Sequence, residues 1–222
     1  MPDYGPRIVT DGLVLYLDAA NKKSYPGSGT SWGDLTGNGN IATLNGAVFT
    51  SSMAGGIAFD GADDTVSMTT DTLLSGNYTI EIAFRRTAFR GDWVRMIGHS
   101  NDNSVRFWGL WLPSAYNLIL WQSYRSGGEF SVSYPFSLNQ DYIISFSNIS
   151  NVGRVYINGI LIGSGATGAI NYTGNTSKII MGFAGFHTYH IGPIYYSKIY
   201  NIGLSGDAIL QNYNATKTRF GL

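Results

Sequence analysis

Short apolar runs with a two-residue period recur along almost the whole chain, each closed off by glycine, asparagine, serine or aspartate. A chain patterned this way buries one face of each run and turns between runs, as an antiparallel β-sheet protein requires. The runs are GLVLYLDA (12–19), YTIEIAFRR (78–86), VRFWGLWL (105–112), NLILWQSY (117–124), DYIISFSN (141–148), RVYINGILIG (154–163), KIIMGF (178–183) and IGPIYYSKIY (191–200). In 78–86, Tyr78, Ile80, Ile82 and Phe84 fall on one face, while Thr79, Glu81 and Arg85 fall on the other. In 141–148, Tyr142, Ile144 and Phe146 point inward and Ser145 and Ser147 outward. Asn158-Gly159 tolerates the positive φ angles of a tight hairpin turn, and Pro113-Ser114-Ala115-Tyr116 reads as a second hairpin connection. Only the end has a helical period: Ser205 is a candidate N-cap, with Ile209, Leu210 and Tyr213 on one side of a helix over about 205–218.

This pattern predicts an all-β, two-sheet antiparallel sandwich with one short C-terminal helix. With 222 residues and no internal linker or repeat, residues 12–222 read as a single domain. Residues 1–11, with Pro2 and Pro6, read as an extended N-terminal arm suited to pairing with a partner.

Fourteen basic and fourteen acidic residues cancel, and only 13% of the chain is charged. Such a chain has little electrostatic grip on nucleic acid or anionic lipid. The absence of cysteine excludes thiol catalysis, thiolate metal sites and disulfides. No stretch is long and apolar enough to span a bilayer. The opening MPDYGPRIVTDG lacks the basic and apolar regions of a secretory signal, so synthesis in a cytoplasm without a signal peptide is expected. The five N-x-[ST] sequons, at Asn77, Asn148, Asn171, Asn175 and Asn214, are accounted for by composition.

Catalytic patterns are sparse. Glycoside hydrolysis needs two carboxyl groups facing one bond, yet the only glutamates, Glu81 and Glu129, are 48 positions apart and Ala83 stands two residues after Glu81. His187 and His190 point to opposite faces of a strand, and His99 has no helix to organise a metal motif. No G-x-S-x-G elbow or phosphate-binding loop occurs. The richest aromatic stretch contains Phe107, Trp108, Trp111, Tyr116, Trp121 and Tyr124. Trp108, Trp121 and Tyr124 are candidates for a glycan-binding platform; the alternative is that these rings fill the core or a subunit interface.

The segment LVLYLDAANKKSYPGSGTSWGDLTGNGNIATLNGAVF (13–49) carries a family resemblance. Leu15-Tyr16-Leu17-Asp18-Ala19 is followed by Trp32, Asp34-Leu35-Thr36-Gly37-Asn38-Gly39-Asn40, Ala42, Leu44 and Asn45-Gly46. Phe59-Asp60-Gly61, Asp63-Asp64, Val155-Tyr156-Ile157-Asn158-Gly159 and Ile199-Tyr200-Asn201 continue the series. Together these resemble a laminin G-like jelly-roll domain of the concanavalin A-like lectin/glucanase superfamily, over almost the whole chain. The ending ILQNYNATKTRFGL (209–222) is similar to the tail of such domains in bacteriophage structural proteins, marine phages in particular.

The resemblance implies a jelly-roll sandwich; independently of it, the turns of DLTGNGN and of FDGADD through Gly61 would place Asp18, Asp60, Asp63 and Asp64 near one rim. Some laminin G-like and pentraxin-like relatives hold calcium at such a rim, so Asp60 and Asp63, with Asp64 beside them, are candidate calcium ligands. Capping of their own turn by these side chains is the alternative. The implied function is a non-enzymatic structural protein of a phage virion, as a capsid decoration, head-fibre or tail-fibre component. Its implied partners are other phage structural proteins, copies of itself, and cell-surface or environmental glycans bound weakly. A bacterial carbohydrate-binding module is the alternative, and a glycosidase the third reading.

Overall fold

The computed structural model describes residues 6–52, 54–69, 74–89, 93–100, 106–113, 118–123, 128–168, 170, 178–183 and 189–222. The strands are β1 (Leu13–Asp18), β2 (Ser31–Gly33), β3 (Ile41–Asn45), β4 (Val48–Thr50), β5 (Gly56–Asp60), β6 (Thr65–Thr69), β7 (Tyr78–Arg85) and β8 (Trp93–Ser100). They continue as β9 (Arg106–Pro113), β10 (Leu118–Ser123), β11 (Gly128–Ser133), β12 (Asp141–Ile149), β13 (Val152–Ile157), β14 (Ile160–Ala166), β15 (Lys178–Met181) and β16 (Ile191–Tyr200). The helix α1 (Gly206–Thr216) and a 3-10 turn, η1 (Lys217–Phe220), close the chain.

The strands form two antiparallel sheets. One has the order β14-β13-β12-β7-β16-β5-β4; the other runs β11-β10-β9-β8-β15-β6-β3-β2. Strand β16 organises the first sheet. One edge pairs with β7; the other is shared by β5, opposite Ile191–Ile194, and β1, opposite Tyr196–Tyr200. The fold is thus the two-sheet sandwich with a C-terminal helix that the alternation predicts. The short strands around residues 31–69, and β8 and β11, add to the predicted runs. Arg95 and His99 interrupt the apolar signal of β8, although both are buried.

The inward faces of β7 and β12 are as expected. Ile82 lies opposite Ile144 and Ile80 opposite Phe146, and all four join one core cluster with Trp108, Leu110 and Trp121 of the facing sheet. Asn158 and Gly159 adopt φ of 50° and 78°, which the tight hairpin between β13 and β14 requires. Strands β9 and β10 pair as a hairpin, with Leu120 opposite Trp111; the connection at 114–117 lies outside the described residues.

The outward faces differ from expectation. Thr79, Glu81, Ser145 and Ser147 do face away from the core cluster, yet all four are buried. The reason is that the chain's end lies over this face. Tyr213, Phe220 and Leu222 pack on Ala83, Ile143, Tyr195 and Tyr196, while Leu204 and Ile209 pack on Tyr156 and Tyr200. The Ser205 hydroxyl accepts from the Ala208 N–H and caps α1 as predicted. Leu210, expected beside Ile209 on the buried side, is instead 44% exposed, and Asn212 takes its place in the interface. The N-terminal stretch from residue 6 is docked beside the helix. The Val9 N–H donates to Asn212 Oδ1 (2.8 Å), Tyr200 donates to the Val9 carbonyl (3.1 Å), and Gln211 donates to the Arg7 carbonyl (2.8 Å).

Candidate functional site

The turn between β5 and β6 gathers Asp60, Asp63 and Asp64, with one carboxylate oxygen of each within 4.8 Å of the others. Two of them shape the turn. Asp64 Oδ2 accepts from the Asp60 N–H (2.8 Å), and Asp60 Oδ1 accepts from the Ala62 N–H (2.7 Å). Gly46 opposes the cluster at a φ of 79°, and a Cβ there would lie 2.2 Å from Asp64 Oδ1. Asp60 and Asp63 are exposed and Asp64 is buried. Burial raises the Asp64 pKa, and the charges of Asp60 and Asp63 add to the rise, against the hydrogen bond from the Asp60 N–H.

This donor set fits a hard, oxygen-seeking cation. After the turn-capping bonds, each carboxylate retains lone pairs, and three negative charges converge without a basic partner in the group. Asp60, Asp63 and Asp64 would hold calcium there, with water or carbonyl oxygens completing its shell; the ion would supply charge neutralisation. The same bonds also serve the turn-capping role.

The aromatic candidates are placed differently from the glycan platform. Trp108 and Trp121 are fully buried. Trp121 stacks on Phe146 with ring centroids 4.0 Å apart, and Trp108 stacks on Trp121 at 5.8 Å. They are core fillers, because alternation in β9 and β10 turns both toward the facing sheet; neither offers a ring to a sugar. Tyr124 lies outside the described residues.

Glu81 is likewise committed. Its Oε1 accepts from Lys198 Nζ (2.7 Å) and the Tyr196 hydroxyl (3.0 Å), and its Oε2 from Ser145 (3.0 Å) and Asn212 (3.4 Å). Both side chains of the ion pair are at 0% exposure. Across the strands, Lys198 and Ser145 stand directly opposite Glu81. One signal of this arrangement was present in the sequence: Lys198 is the lone charge in IGPIYYSKIY. Its pairing with Glu81 was not legible until β16 and β7 were adjacent. Glu129, on β11, is exposed and accepts from Gln122 (2.6 Å).

His99 and His190 are fully buried, and His187 lies outside the described residues. Burial, with the charge of Arg95, pushes the His99 pKa down to about 4; burial, with Arg86, pushes that of His190 down to about 3. At neutral pH both are neutral interior groups. His190 is wedged edge-on against Phe59 and Phe84.

Two packed antiparallel sheets with a short helix on one outer face make this a jelly-roll β-sandwich. Residues 60–210 match the family described as the concanavalin A-like lectin/glucanases superfamily, of laminin G type, and the chain belongs to it. A search of curated protein sequences gave no match. Among solved structures, the chain is similar to Trypanosoma rangeli sialidase, with 14% identity and a TM-score of 0.71 over 96% of this chain and 34% of that one. It thus spans about a third of the sialidase chain. It is also similar to domain 4 of AbnA, a GH43 extracellular arabinanase from Geobacillus stearothermophilus, solved in complex with arabinotriose. Identity there is 14% and the TM-score 0.70, over 90% of this chain and 98% of that one. At these identities the likeness establishes the fold.

Proposed function

We propose that this chain is a non-catalytic recognition and display domain: a structural component of a phage particle whose sandwich presents a glycan-binding surface. The observation that carries the non-catalytic part is the burial of Glu81, whose two oxygens are occupied by Lys198, Tyr196, Ser145 and Asn212. A carboxylate so enclosed reaches no substrate, and Glu129 is left without a glutamate partner. The virion role rests on the phage-like ending, residues 209–222. That same segment forms α1 and η1 over the outer face of the first sheet. Calcium at Asp60, Asp63 and Asp64 would rigidify the rim.

A free carbohydrate-binding module is the second reading, favoured by the near-complete overlap with an arabinanase domain solved in complex with arabinotriose. Mass spectrometry of purified particles, combined with a glycan array, separates the two. Presence in particles at a fixed copy number supports the virion role. Absence from particles with glycan binding retained moves the free module ahead. Sugar release abolished by an Asp or Glu substitution would overturn both in favour of an enzyme.

A further inference from the structure

A cleft lies on the helix side of the domain, away from the Trp108–Trp121 core stack. It is an open groove of about 610 Å³ between the N-terminal stretch, β1 and the C-terminal helical segment. That volume is within the range of small-molecule sites, about 300–1,000 Å³. Besides Thr216, whose hydroxyl is committed to the Asn212 carbonyl (3.0 Å), its polar lining is Arg7 and Thr10, Tyr16 and Asp18 of β1, and Thr218 and Arg219 of η1.

We propose that this cleft binds a carboxylated sugar unit. The inference rests on the glycan-recognition reading above and names the ligand class for a site that neither Trp108 nor Trp121, both buried, supplies. Asp18 and Arg219 neutralise each other through a 2.8 Å ion pair. Arg219 is further held by the carbonyls of Ala54 (3.1 Å) and Gly55 (2.8 Å), so its guanidinium is fixed in place by the fold and its charge is matched by Asp18. The Arg7 side chain is exposed and has no hydrogen bond or ion pair among the described residues, which leaves the cleft lining with one uncompensated positive charge. That charge selects an anion.

The remaining groups select hydroxyls. Asp18 Oδ2 accepts from the Tyr16 hydroxyl (3.0 Å) and keeps acceptor capacity for a ligand O–H. The hydroxyls of Thr10 and Thr218 bond no other described residue and can donate or accept. Tyr16 is held by its bond to Asp18 and by edge contact with Tyr196 at 6.3 Å, so it presents a preorganised ring. One free guanidinium, a fixed ring and three hydroxyl-matching groups within one cleft suit a uronate-type sugar.

The test is an amide-resolved NMR titration of the full chain with oligogalacturonate, alginate and hyaluronan fragments, each beside its carboxyl-reduced counterpart. At least one acidic fragment should perturb Arg7, Thr10, Tyr16 and Thr218, with affinity that falls as salt is added. Arg7→Gln should weaken that binding about fivefold, the upper reach of an exposed ion pair, and leave the reduced fragment unaffected. The variant's melting temperature should match the parent's, since Arg7 contributes only its carbonyl to the fold. Acidic fragments that perturb other residues, or bind Arg7→Gln as tightly, overturn the cleft and leave glycan recognition standing. Binding of neutral glycans alone on an array has the same meaning. An array on which no glycan binds the parent overturns the recognition reading, and the cleft with it.

Discussion

Lys198 and Glu81 face each other across β16 and β7 with their charged atoms 2.7 Å apart and neither side chain exposed. The pair is also the anchor of the C-terminal helix, because Asn212 of α1 reaches both Glu81 Oε2 and the Tyr200 hydroxyl. The Lys198 ammonium lies 4.3 Å from the Tyr196 ring and 5.3 Å from that of Tyr16, so aromatic faces share its charge.

Removing one partner strands the other charge in the interior. Glu81→Gln or Lys198→Met should each cost about 3–5 kcal/mol, because each leaves the other member of the pair buried without its partner. Chemical denaturation reads both. A single substitution costing under about 1 kcal/mol would contradict a buried, structural pair.

Trp121 carries a separate expectation. Trp121→Ala removes the ring stacked on Phe146 and should cost about 3–5 kcal/mol. Glycan binding per folded molecule should be unchanged, because the ring is enclosed. Isothermal titration of the folded variant would expose a direct ligand contact if one existed.

The acidic turn makes a prediction with a definite sign. The Asp64 pKa is raised in the fold, so its ionised form is disfavoured there. Its contribution to stability therefore falls as pH rises from the ordinary aspartate range through the raised value. Calcium should offset this. At tenfold its dissociation constant, it would add about 1.4 kcal/mol, or about 3–6 °C in melting temperature for a chain of this size. Asp63→Asn should abolish that increment. A melting curve identical in millimolar calcium and in chelator would leave these aspartates with turn capping alone.

The two buried histidines act in the opposite sense. Their folded pKa values, about 4 for His99 and about 3 for His190, lie below the ordinary value of 6.5. On acidification the unfolded chain takes up protons that the folded chain refuses. Stability is therefore intact above about pH 7 and lost as pH falls toward 4, at up to about 1.4 kcal/mol per pH unit for each histidine. Melting temperatures between pH 7 and 5 measure the slope, and a flat profile would overturn the assignment.

The alternation in 78–86 and 141–148 was enough to identify strands and to choose their inward faces, because a two-residue period maps directly onto the two sides of a pleated sheet. Asn158-Gly159 and Ser205 were legible for a similar reason: a turn and a helix cap depend on a few adjacent residues. Three aspartates within five positions announced the acidic turn, since the β5–β6 connection holds them close whatever the rest of the chain does.

What lies beyond each sheet face was a tertiary matter. Glu81 reads as a solvent-facing residue until a helix 131 positions away covers it with Asn212. Trp108 and Trp121 are open to a sugar platform or a core until the facing sheet puts Phe146 against Trp121, on which Trp108 stacks. The cleft between Arg7, Asp18 and Thr218 exists only because the two ends of the chain meet over β1. Local periodicity determined the strands and their two faces; only long-range packing decided which face met water, because burial depends on what arrives from elsewhere in the chain.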